Sequence, residues 1–164
     1  FETVREALEE FTGVYRRFEI IGEHAGVLFV DDYAHHPTEV RATLQAARQG
    51  WDRRLVCVFQ PHTYTRTRDF APEFGKAFEE ADILVVTDVY PAREEPIPGV
   101  TGELIAQAAR RSGHRAVYYA PTLEEAASVV SSLLQPGDML LTLGAGSISK
   151  LHSLLGARSQ PQLG

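Results

Sequence analysis

Val27-Leu28-Phe29-Val30, followed by Asp31-Asp32-Tyr33-Ala34-His35-His36-Pro37-Thr38-Glu39, is the stretch that decides the fold. The four apolar residues read as a buried strand. Beyond the turn, Val40, Leu44 and Ala47 fall at i, i+4 and i+7, the stripe of an amphipathic helix. A strand feeding directly into a helix is the unit of an open α/β sheet, in which ligands bind at the carboxyl ends of the strands. The turn carries two carboxylates, a phenol and two imidazoles, more chemistry than a plain connection needs.

The alternation continues in both directions. Upstream, Val4, Ala7, Leu8 and Phe11 predict a helix over 3–10. Residues 17–23 and 26–31 predict two short strands around His24-Ala25-Gly26, a hairpin that makes the first strand an antiparallel edge. Downstream, the pattern predicts helix 38–49, strand 54–60, helix 68–81, strand 83–87, helix 101–112, strand 116–119, helix 122–134, strand 139–143 and helix 147–155. Thr122 with Glu125 forms a capping box, and Pro136-Gly137 ends the helix that it starts. Such an order implies a three-layer αβα, Rossmann-like domain with a mostly parallel six-stranded sheet. Residues 1–156 are expected to form this domain, and 157–164 a disordered polar tail. A first residue in mid-pattern and without Met suggests a piece of a longer protein.

Composition excludes several classes. The 164 residues are 44% apolar and 23% charged, an ordinary globular balance with enough chain for one full core. A net charge of −6 opposes general nucleic-acid binding, which needs clustered cations. Cys57 stands alone, so an intrachain disulfide and a thiolate metal cluster are out, in keeping with a reducing cytoplasm. No apolar run approaches the roughly 20 residues of a membrane span. Neither a Gly-x-x-x-x-Gly-Lys-Ser/Thr loop nor a Gly-x-Ser-x-Gly elbow occurs.

Four places carry candidate chemistry. In the Asp31–Glu39 turn, a carboxylate can accept from sugar hydroxyls and an imidazole can bind a carboxylate or move a proton. Pro37 suits the first helical position, and the plainer reading has Asp31 ending a strand and His36 capping the helix. The second place, Gln60-Pro61-His62-Thr63-Tyr64-Thr65-Arg66-Thr67-Arg68, also follows an apolar strand. If the two strands are parallel neighbours, both turns open on one edge. Cations at a helix start oppose its dipole, so Arg66 and Arg68 point to a bound anion, a small carboxylate or phosphate. Arg16 and Arg17 are third, and at most one reaches a given site because neighbours on a strand alternate faces. Fourth, Gly144-Ala145-Gly146-Ser147 is half a dinucleotide fingerprint at the wrong end of the sheet, and reads as a tight turn able to approach a ligand. Residues 88–100, with three prolines, form a long connection of the kind that is often functional. His24, His114 and His152 read as surface or capping residues. Asp32, His35, His36 and His62 could instead hold a metal, making a metal-dependent phosphoesterase the rival enzyme. A standalone nucleotide- or amino-acid-binding module is the non-enzymatic rival.

Phe11-Thr12-Gly13-Val14-Tyr15-Arg16-Arg17-Phe18-Glu19, the Asp31–Glu39 turn, Phe59–Arg68 and Gly144-Ala145-Gly146, in this order, resemble the C-terminal domain of the Mur ligases. The His-His-Pro and Gln-Pro-His blocks resemble the branch that adds L-alanine to UDP-N-acetylmuramate. The resemblance implies a cytoplasmic three-domain enzyme of peptidoglycan synthesis. Its N-terminal domain binds the UDP-sugar, and its central domain holds the triphosphate loop and the Mg²⁺ ligands, outside this chain. ATP would phosphorylate the muramoyl carboxylate, and the amine of alanine would displace phosphate. By the same resemblance Arg17 and Asp32 contact ATP, Asp32 at the ribose. His35 and Arg66 are the catalytic pair beside the incoming amino acid, Arg66 on its carboxylate, and His36, His62 and Tyr64 shape the pocket. Thr63 and Ser147 depart from the Arg and Asp that many members carry there. Alone, the chain is expected to be inactive.

Overall fold

The computed structural model describes residues 16–159, so the helix expected over 3–10 lies outside the described residues. Six strands form one sheet: β1 (Glu19–His24), β2 (Val27–Asp32), β3 (Leu55–Phe59), β4 (Ile83–Val86), β5 (Val117–Tyr119) and β6 (Met139–Leu143). Their spatial order is β1-β2-β6-β3-β4-β5, with β1 antiparallel to β2 and every other pair parallel. The expected hairpin is present. Its turn residues Ala25 and Gly26 both have positive φ (52° and 80°), the signature of a two-residue loop that matches strand twist.

Among the described residues five α-helices flank the sheet: α1 (Pro37–Gly50), α2 (Tyr64–Ala77), α3 (Glu103–Arg111), α4 (Leu123–Leu133) and α5 (Leu151–Ser159), the last preceded by a 3₁₀ turn at Ser147–Lys150. Strand alternation sorts the core into two layers. Leu55, Cys57 and Phe59 of β3 pack with Val40 and Leu44 of α1, Phe74 of α2 and Ile105 of α3. Val56 and Val58 face the other way, against Ala126 and Val130 of α4 and Leu151 and Leu155 of α5. Burial on both faces explains why β3 is an unbroken apolar run and why β6 is apolar except for the buried Thr142. It also pushes the Cys57 thiol far above its ordinary pKa, so this cysteine is inert packing.

Three sequence expectations change. The strands β2 and β3 are parallel but not neighbours, because β6 lies between them. Both turns still open on one edge, with the Gly144–Gly146 turn between them. The second helix starts at Tyr64 rather than 68, since Thr63 caps it by accepting a hydrogen bond from the Arg66 amide (3.4 Å). At the carboxyl end of the chain, the helix expected to stop at 155 splits into the 3₁₀ turn and α5, which runs to Ser159.

Candidate functional site

The two aspartates at the end of β2 have different duties. Asp31 is buried, its Oδ2 accepting from Arg16 Nε (3.1 Å) and its Oδ1 from Thr142 Oγ1 (2.7 Å). Asp32 turns outward and accepts from the backbone amides of Phe18 and Ala34, 2.7 Å each. Burial pushes the Asp32 carboxyl above its ordinary pKa, against the pull of those two amides. Phe18 is thereby clamped over the core, where it stacks on Trp51 with ring centroids 5.1 Å apart.

Of the paired arginines, Arg16 is the buried one. Its guanidinium donates to the carbonyl oxygens of Gly144 (2.6 Å), Ala145 (3.3 Å) and Gly146 (3.1 Å), so the glycine turn is wrapped around a protein cation. A Cβ on Gly146 would stand 2.4 Å from the Tyr90 ring and 2.8 Å from Gln60 Oε1. The close approach that this turn permits is therefore made by the protein itself. Gln60 completes the lock, accepting from the Ile148 amide (3.0 Å) and donating to Ser147 Oγ (3.1 Å). Arg17 is exposed and has no hydrogen bond or ion pair among the described residues.

His35, His62 and Arg66 come together. A row of rings runs Tyr33–His35–His62–Tyr90, with centroids 5.2, 5.7 and 5.6 Å apart, and Tyr90 stacks on His62 at 15°. His35 Nδ1 lies 2.9 Å from the Tyr33 carbonyl oxygen, which orients its ring. Burial lowers the His62 pKa, and the neighbouring His35 and Arg66 lower it further, while Glu94 opposes them. A neutral imidazole at neutral pH follows. His62 Nδ1 and Arg66 Nη1 are both buried and both lack a hydrogen-bond partner among the described residues. Leaving such a donor unpaired costs about 1–3 kcal/mol, more when it is charged. An anion seated on Arg66 recovers that cost. Arg68, by contrast, is exposed and paired with Asp69 (2.8 Å).

His36 does what the plainer reading foresaw. Its Nδ1 accepts from the Thr38 amide (3.3 Å) while Glu39 accepts from the His36 amide (3.0 Å), a reciprocal cap for α1. Its ring lies edge-on to Phe70 and lines a cavity of about 350 Å³ with Arg41, Glu73 and Lys76. Tyr64 opens α2. Thr63, just before it, has φ 65° and ψ 146°, a conformation costly for a β-branched residue. Among the described residues no group of three or more His, Cys, Asp or Glu is placed to hold a metal ion.

Residue-type reasoning passed over three contributors. Tyr90 and Glu94 sit in the long 88–100 connection, whose length and prolines were the one signal for them. His152, read as surface or capping, is instead partly buried, with Nε2 2.7 Å from Thr142 Oγ1. His114 is a structural cap: its Nε2 lies 2.7 Å from the Ala81 carbonyl oxygen.

This fold belongs to a class of ligases. Residues 16–146 match the family model described as "Mur ligase, glutamate ligase domain", and the chain belongs to the Mur ligase family. Curated relatives named UDP-N-acetylmuramate–L-alanine ligase are 55% identical over 148 residues in an Anaeromyxobacter species (90% of this chain, 32% of the relative) and 56% identical over 149 residues in Salinibacter ruber (90% and 31%). The crystal structure of a UDP-N-acetylmuramate–alanine ligase from Thermotoga maritima superposes with a TM-score of 0.74 at 33% identity, covering 93% of this chain and 32% of that one. The chain thus spans about a third of the length of the relatives it matches, and corresponds to the C-terminal domain of a Mur ligase.

Proposed function

We propose that this chain is the amino-acid-accepting, ATP-closing domain of a cytoplasmic ligase that joins L-alanine to UDP-N-acetylmuramate in peptidoglycan synthesis. The observation that carries the reading is the buried, unpaired Nη1 of Arg66 beside the neutral His62. A guanidinium with a free donor is suited to the alanine carboxylate. His35 and His62, next to each other and near Arg66, offer imidazole nitrogens that could take the proton the amine must lose before attack. In the proposed reaction ATP converts the muramoyl carboxylate to an acyl phosphate; the alanine amine bonds to the acyl carbon, the acyl C–O bond breaks, and inorganic phosphate leaves. The triphosphate loop, the Mg²⁺ ligands and the UDP-sugar site belong to the rest of such an enzyme.

For ATP the two expected contacts differ in what they have to spare. Arg17 is exposed and unpaired among the described residues, open to a phosphate or a neighbouring domain. Asp32 already accepts from the Phe18 and Ala34 amides and from the Thr43 side chain, leaving about one of a carboxylate's roughly four acceptor sites for a ribose hydroxyl. The phosphoesterase rival loses ground for the same reason: Asp32 and His36 are committed to backbone amides.

The test is Arg66→Ala in the full-length enzyme. The KM for L-alanine is expected to rise about 10- to 150-fold, the loss of a charged hydrogen-bond pair. An unchanged alanine KM would remove Arg66 from this role.

A further inference from the structure

The 88–100 connection is tied to the start of α2 at three points. Tyr90 donates its amide to the Pro61 carbonyl oxygen (2.8 Å) and accepts from the Thr63 amide (2.9 Å), bridging both sides of His62. Its ring covers His62 and fills the space that Gly146 leaves empty. Four residues on, Glu94 accepts from the Thr65 amide (3.0 Å) and from Thr65 Oγ1 (2.5 Å). The first turn of α2 contains no acidic residue of its own. Glu94 therefore supplies from a distant loop the negative charge that the amino end of a helix prefers. Between these ties lies Thr63, held at positive φ, and Arg66 follows on the next helical positions. A strained conformation persists only where its surroundings over-determine it.

We infer that Glu94 is a positioning residue: by fastening the 88–100 connection to Thr65, it holds the Thr63 bend and aims Arg66 and His62 at the incoming amino acid. This rests on the reading of the pocket as the acceptor site. Glu94 does not touch the amino acid in this scheme. Its effect passes through Thr65, so a side chain of the same shape without charge can replace it. Glutamine can accept from the Thr65 amide through Oε1 and donate from Nε2 to Thr65 Oγ1.

The experiment compares Glu94→Ala and Glu94→Gln in the full-length protein, with steady-state kinetics and hydrogen exchange at the Thr65 and Arg66 amides. Glu94→Ala is expected to raise the KM for L-alanine about 3- to 10-fold, the worth of one ordinary hydrogen bond, with the KM for ATP unchanged. Exchange at Thr65 and Arg66 should quicken together with it, and Glu94→Gln should restore both. If Glu94→Gln is as poor as Glu94→Ala, the hydrogen bonds to Thr65 do not carry the effect and positioning through Thr65 is overturned. Faster exchange with an unaltered alanine KM also overturns it, leaving the acceptor-site reading intact. Absence of L-alanine-dependent turnover in the unsubstituted protein would sink that underlying reading instead, and the exchange data would still report whether Glu94 holds the helix start.

Discussion

Gly146 shows how little room the site has for a change at one residue. A methyl group there meets the Tyr90 ring at 2.4 Å, and the ring cannot retreat without leaving His62. Gly146→Ala is expected to cost about 1–3 kcal/mol, the usual range for overpacking, visible as a lower midpoint in denaturant. A midpoint within error of the parent would mean that Tyr90 is not wedged. At this scale the sequence named residue types well and directions poorly. Asp31 and Asp32 are adjacent and identical, yet one is buried under Arg16 and the other clasps the Phe18 and Ala34 amides. Arg16 and Arg17 divide likewise into a buried cation and an exposed one. Strand alternation parts the two aspartates on β2, whereas Arg16 (φ 57°) and Arg17 lie in a turn before β1 rather than on the expected strand, and Arg16 goes inward to the carbonyl oxygens of Gly144–Gly146.

The helix α5 is docked through a polar contact that no element pattern announces. His152 Nε2 meets Thr142 Oγ1 on β6, Thr142 donates to Asp31, and Asp31 accepts from Arg16, forming a chain that crosses the sheet from helix to glycine turn. Burial holds the His152 imidazole below its ordinary pKa, although Asp31 and Glu19 pull it upward. As pH falls, the unfolded chain takes up this proton before the folded one does. The contribution is therefore complete above the unfolded value of about 6.5 and is lost as pH drops through the lower folded value. His62 adds to the same slope with the same sign. Melting temperatures of His152→Gln between about pH 8 and pH 5 are expected to fall less steeply than those of the parent. Parallel curves would show that His152 does not titrate on unfolding. Element existence was legible throughout the described chain, because 3.6- and 2-residue periods follow from local geometry. The start of α2 was not: it was expected at 68 and lies at Tyr64, capped by Thr63, and the charge that compensates its arginines, Glu94, lies in another segment.

For the whole molecule, what matters is which part of the proposed reaction it would serve. The sheet edge gathers His35, His62 and Arg66, and the sequence holds no Gly-x-x-x-x-Gly-Lys-Ser/Thr loop to grip a triphosphate in that manner. The 164-residue chain is accordingly expected to release no phosphate from ATP in the presence of L-alanine and UDP-N-acetylmuramate. Robust turnover by this piece would overturn the proposal that the catalytic site is assembled by closure of separate domains. No helix among the described residues is long and apolar enough to cross a membrane.

Sequence alone determined the alternating α/β order, the hairpin that begins it and the three turns rich in chemistry, because each is written in neighbouring residues. Only the tertiary structure decided that β6 inserts between β2 and β3, which puts the glycine turn between the two histidine-bearing turns. It also decided that this turn wraps an arginine of the chain itself, and that a loop some thirty residues away completes the Arg66 helix. These last are contacts between residues up to 130 positions apart, and their energies come from burial and charge pairing that no local period encodes.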